Sequence, residues 1–228
     1  MGGINLKESS GKSKNNSEIR IPINSITLEG NLIIPEGAKG IVVFAHGSGS
    51  SRHSSRNQYV ARELQKEGLG TLLFDLLTAD EERIDMVTAH LRFDIDLLAN
   101  RLVDVTNWLL NNPDTEYLNI GYFGASTGAA AALIAAKEHS NSVKAVVSRG
   151  GRPDLAEKAL PGVKAPTLLI VGGEDFQVID MNQWAFDRLT VKEKQLKIVP
   201  GATHLFEEPG TLEEVAYLAG EWFKRYLL

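Results

Sequence analysis

Cysteine is absent from the 228 residues, which excludes disulfides, thiolate metal ligands and a thiol nucleophile together. Any nucleophile must be oxygen or nitrogen. Eighteen or more consecutive apolar residues occur nowhere, so no membrane-spanning helix is expected. An excess of positive charge is also missing: 24 Lys and Arg stand against 29 Asp and Glu, a net charge of −5, which gives no bulk attraction to nucleic acid or an anionic membrane. The phosphate-binding patterns fail too. "GKS" at 11–13 lacks the upstream glycine of GxxxxGK[ST], and after Gly47 and Gly49 the third glycine of GxGxxG is replaced by Arg52. The opening stretch "MGGINLKESSGKSKNNSE" has no apolar signal-peptide core, and Leu6 stands where a myristoylation signal requires Ser or Thr. The expectation is a cytoplasmic monomer or homodimer with a small-molecule partner.

What is present is ordinary for a globular protein: 43% hydrophobic and 23% charged residues, enough for one domain. Residues 1–17 are polar and rich in Gly, Ser, Lys and Asn, a composition that cannot bury enough surface to order itself. They read as an unordered or expression-derived tail, followed by a single domain over 18–228. "EIRIPI" and "ITLEGNLIIP" alternate in polarity around Asn24 and Ser25, as an antiparallel hairpin at a sheet edge would, with Pro22 and Pro35 suited to an edge. Then come six short, nearly continuous apolar runs at 40–47, 70–77, 117–124, 143–150, 165–173 and 195–201. Runs of that kind mark parallel strands buried on both faces. Helical periodicity separates them at 54–67, 94–112, 127–139 and 211–227, and "ADEERID" reads as a solvated helix start. The class is α/β: a mostly parallel, doubly wound sheet with an N-terminal antiparallel edge. Ligands bind such sheets beyond the carboxyl ends of their strands. His46, Asp75, Ser126, Arg149, Asp175 and His204 all fall there.

GxSxG occurs once, as Gly124, Ser126 and Gly128, where an apolar strand runs into an alanine-rich helix. A sharp strand-to-helix turn would lift the Ser126 hydroxyl clear of the sheet and aim the first helical N–H groups at a reacting carbonyl. A serine hydroxyl needs a base, and the base needs an acid to hold its tautomer. Of the five histidines, His204 in "PGATHLFEEPG" lies after the last strand with freedom to point inward. Asp175 in "LLIVGGEDFQV" directly follows a buried strand, with Asp180 in reserve. The glycine-rich "FAHGSGSSRH" offers the Ser48 N–H to join that of Thr127 as an oxyanion hole. Each has a plainer reading as well: Ser126 as a turn residue, His204 as a surface histidine, Asp175 as a helix cap. His46, Arg52, Arg149 and Arg152 are candidate substrate-binding residues. Arg52, His53 and Arg56 could recognise an anionic group or be helix-start surface charges. Arg149 and Arg152 could clamp a carboxylate or phosphate, or pair with Asp154 or Glu157. Asp75 could tie down a loop.

HGSG at 46–49, GASTG at 124–128, GGED at 172–175 and GATH at 201–204 together resemble an α/β-hydrolase of the dienelactone hydrolase-like group, over nearly the whole chain after the tail. "SRGGRPDLA" at 148–156 further resembles hydrolase domains of that group sometimes fused to phosphoribosyltransferase domains. The resemblance implies an α/β-hydrolase fold with the triad in the order serine, aspartate, histidine. In one respect the chain departs from it. Dienelactone hydrolases proper use a cysteine nucleophile, and serine at 126 favours an ordinary serine esterase mechanism on carboxylic esters, needing no metal or cofactor. Too few residues separate the strand ending at Ser148 from the one starting near Ala165 for a helical cap domain, so the pocket should be open. The other expectations are a thioesterase or acyltransferase with the same triad, and a hydrolase-derived ligand-binding protein.

Overall fold

The computed structural model describes residues 17–228. Of the tail expected over 1–17, residues 1–16 lie outside the described residues, and Ser17 opens the first strand. β1 (Ser17–Ile23) and β2 (Ile26–Ile33) form the antiparallel hairpin, turning at Asn24 with its φ of 49°. Asparagine tolerates that left-handed conformation better than most residues. The remaining strands are β3 (Gly40–Ala45), β4 (Gly70–Phe74), β5 (Asn119–Ala125), β6 (Val143–Arg149), β7 (Thr167–Gly172) and β8 (Lys194–Val199). They form one eight-stranded sheet in the order β1-β2-β4-β3-β5-β6-β7-β8. β1 and β2 run antiparallel to their neighbours, and all later pairs are parallel.

Among the described residues six α-helices cover the sheet: α1 (Ser55–Lys66), α2 (Ala79–Thr88), α3 (Ile95–Leu110), α4 (Thr127–Glu138), α5 (Phe176–Arg188) and α6 (Thr211–Leu227). Alternate residues of each central strand enter different cores. Ile41, Val43 and Tyr122 pack with α3 and α4, whereas Val42, Phe44 and Phe123 pack with α1 and α6. That two-sided burial is why these strands are apolar at every position rather than every second one. β6 and β7 are joined through two short 3-10 turns, Pro153–Ala156 and Leu160–Gly162, with no helical cap between them.

From β3 the chain crosses to β4 on one side and then returns to β5 on the other. The crevice at such a reversal is where open α/β sheets bind ligands. The loop after β3 and the turn after β5 flank it.

Candidate active site

Ser126 sits between the end of β5 and the start of α4 at φ 49°, ψ −123°. Neighbours hold this left-handed backbone in place. The Ser126 N–H donates to the Arg149 carbonyl at 3.3 Å, and the Ser126 carbonyl accepts from the N–H groups of Ala129 at 3.1 Å and Arg152 at 3.0 Å. Flanking glycines make room for so tight a turn. A Cβ on Gly128 would stand 2.2 Å from the Ala45 carbonyl oxygen, and one on Gly124 2.5 Å from Ala129 Cα. The motif is therefore steric: side chains at those two positions would force α4 away from β3 and β5.

His204 follows β8 and Asp175 follows β7, and the His204 Nδ1–H donates to Asp175 Oδ2 at 2.6 Å. Asp175 stands at the N-cap position of α5, yet its side chain makes no capping bond; the carboxylate goes to the histidine instead. The two loops touch at Gly172, where a Cβ would lie 2.4 Å from the Ala202 carbonyl oxygen. A second lock lies beyond the histidine. Thr203 donates its N–H and hydroxyl to the Glu208 carboxylate at 3.0 and 2.6 Å, and those bonds hold Glu208 below the usual carboxylate range. Between them Phe206, fully buried, adopts φ 56°, a costly conformation for a bulky residue that a closely tied loop can maintain. Sequence reasoning passed over Thr203, Phe206 and Glu208. The acid five residues after a threonine was the available signal.

Thr127, first in α4, has no acceptor for its N–H among the described residues. The Ser48 N–H donates to Thr127 Oγ1 at 3.0 Å, so the loop after β3 is fastened to the first residue of the helix that Ser126 begins. A narrow cleft lies beside that loop, lined by His46, Ser48, Leu76, Asp85, Arg92 and Leu98 among others.

The four candidate substrate-binding residues divide. His46 is occupied at both ring nitrogens: Nδ1–H donates to the Gly47 carbonyl at 3.0 Å, and Nε2 accepts the Leu76 N–H at 3.1 Å. It joins the ends of β3 and β4, and burial lowers its pKa from the ordinary 6.5. Arg52 pairs with Asp75 and, at 2.8 Å, with Glu29, and Asp75 Oδ1 also accepts the Arg52 N–H at 2.7 Å. Arg152 forks onto Asp154 through Nε at 2.9 Å and Nη2 at 2.7 Å, the pairing within its loop. Arg149 differs. It is buried at the end of β6, and its sole side-chain hydrogen bond among the described residues runs from Nη2 to Asn57 Oδ1 at 3.2 Å. Among the described residues, no cluster of three or more His, Cys, Asp or Glu is placed to hold a metal ion, and no helix is long and apolar enough to cross a membrane.

Residues 28–227 match the model of the dienelactone hydrolase family. A dienelactone hydrolase structure from Anabaena variabilis is 62% identical, with a TM-score of 0.92 over 93% of this chain and 98% of that one. The esterase Pf2001 of Pyrococcus furiosus, 21% identical, superposes with a TM-score of 0.76 over 93% of this chain and 92% of that one. At that identity the likeness concerns the fold, which is the α/β-hydrolase fold without a cap domain. A curated Mycobacterium tuberculosis protein named "Putative phosphoribosyl transferase" is 59% identical over 210 residues, 92% of this chain. The chain spans only 46% of that relative's length.

Proposed function

This chain belongs to the dienelactone hydrolase family, and we propose that within it the protein is a serine esterase that cleaves carboxylic esters of small molecules through an acyl-enzyme. The observation that carries this reading is the Asp175 carboxylate on His204 Nδ1, on the same rim as a serine held at a positive φ. With Nδ1 committed to Asp175, the His204 proton-accepting atom is Nε2. It takes the Ser126 proton as Oγ attacks the ester carbonyl, then returns that proton to the departing alkoxide. The carbonyl oxygen, now negative, is bound by the Thr127 N–H and by the Ser48 N–H, which turns from Thr127 Oγ1 toward the stronger acceptor. Water, deprotonated by His204, attacks the acyl-serine; the acyl–oxygen bond then breaks, His204 returns the proton to Ser126 Oγ, and the acid leaves. Asp175 stabilises the imidazolium in both halves.

The transferase name of the curated relative belongs to a protein more than twice as long as the matched segment. Since residues 28–227 match the model of a hydrolase family, we assign the matched segment to hydrolysis.

The test is release of p-nitrophenol from acetate, butyrate and octanoate esters by the wild type and by Ser126→Ala. The expected loss of kcat is about 10³-fold or more, leaving the residual rate typical of a site without its nucleophile. Equal rates in the two proteins would sink the reading.

A further inference from the structure

Arg149 is the one buried arginine among the described residues, 6% exposed, and no carboxylate lies within 4.0 Å of it. Its Nε is buried and unpartnered. The ring of Phe206 lies 5.9 Å from the guanidinium carbon, a cation–π contact that uses none of the N–H donors. Burying a charge without an opposite charge is costly, and an unsatisfied buried donor calls for a physical reason.

The surroundings add positive potential. Arg56, in the first turn of α1, is close enough to repel Arg149, and burial with that repulsion lowers the Arg149 pKa to about 10. Arg56 also has a buried, unpartnered Nε. Asn57, which touches Arg149, lies in the same turn. That turn carries no acidic residue, although α2 carries Asp80, Glu81 and Glu82 in its own, so within its own helix the positive end of the α1 dipole is met only by the neutral Ser54 hydroxyl, which accepts the Asn57 N–H at 3.4 Å. Among the described residues, the carboxylate that pairs with Arg56 is Glu207, at 3.2 Å and with its side chain 64% exposed. An exposed carboxylate on a flexible stem is readily displaced.

This basic cluster adjoins the candidate triad. Phe206 and Glu207 follow His204 by two and three residues, and a Cβ on Gly150, next to Arg149, would lie 3.6 Å from the His204 ring. We propose that Arg149 and Arg56, at the start of α1, form a subsite for a phosphate monoester group, and that the preferred esters carry such a group. The second half rests on the esterase reading. Two guanidiniums and a helix N-terminus match a dianionic, three-oxygen acceptor better than a single carboxylate. Glu207 occupies the Arg56 end until the ligand arrives.

The test is calorimetric titration of the full chain with phenyl phosphate and, separately, benzoate. Wild type should bind phenyl phosphate more tightly than benzoate. Arg149→Met should weaken phenyl phosphate by about tenfold or more. Glu207→Gln, at an exposed position, should tighten it several-fold by removing the competitor, and Arg56→Gln should weaken it; these two carry the test if Arg149→Met fails to fold. No binding of phenyl phosphate to wild type, affinities unmoved by all three substitutions, or benzoate bound as tightly would each overturn the proposal. Calorimetry needs no turnover. Failure of the esterase reading leaves binding intact without hydrolysis, whereas failure of the subsite leaves hydrolysis intact without binding.

Discussion

At the scale of single residues, the rim uses histidine in two opposite ways. His204 is part exposed and committed to a carboxylate; His46 is half-buried and joins two strand ends through both ring nitrogens. Burial dominates at His46 and lowers its pKa, against the opposing Gly47 hydrogen bond and the charges of Asp75 and Glu82. Below the ordinary value of 6.5, the unfolded chain therefore gains a proton that the folded chain refuses. Stability attributable to His46 is complete above that pH, declines as pH falls below it, and levels off beneath the folded value. His46→Asn should flatten the pH dependence of Tm in this mildly acidic window, measured by thermal denaturation, even if it lowers Tm overall. Identical slopes in the two proteins would contradict the assignment. The strand-end positions of the candidate residues Ser126, Asp175 and His204 were legible in the sequence because each follows a strand beside a glycine turn. The solitary state of Arg149 was not. A sequence gives an arginine's position but not the carboxylates within its reach, and Arg152, three residues on, met Asp154.

At the scale of elements, the buried strands were the most legible features, since burial on both faces leaves continuous apolar runs with little alternative reading. α5 was harder to see as an element: its buried residues are few, Val178, Asn182 and Ala185, two of them weak hydrophobic signals. α2 is the least anchored helix. Its only buried residue is Asp85, held by Arg92, while Met86 and Val87 face outward. With no apolar face to bury, its stability depends on its ends and on that ion pair. Thr78 and Glu81 form a complete capping box there. Thr78→Ala should destabilise α2 by about 1 kcal/mol. Amide exchange would register this as faster exchange across 79–88, with α3 and the sheet unchanged; uniform acceleration across the molecule would mean that α2 does not open by itself.

At the scale of the whole molecule, two hydrophobic cores lie on opposite faces of one sheet and share its backbone. Val42 and Val43 are neighbours in β3, both fully buried, yet belong to different cores. If the sheet couples the cores, Val42→Ala and Val43→Ala should each lower a single calorimetric transition by roughly 5 °C. Two transitions, with each substitution moving only one, would instead mean that the faces melt independently. The architecture itself was readable from the alternation of strands with helices. Strand order along the sheet was not legible, because the sequence does not state on which side of β3 a strand is added.

The turn at Ser126 has a wider consequence. Its positive φ and its glycine neighbours constrain where a side chain stands and leave open what that side chain is made of. Oxygen and sulfur differ there by one atom on an unchanged backbone. The turn thus works as a socket, and a lineage built on it can exchange hydroxyl for thiol chemistry by a single substitution without rebuilding the sheet, the histidine loop or the acid behind it.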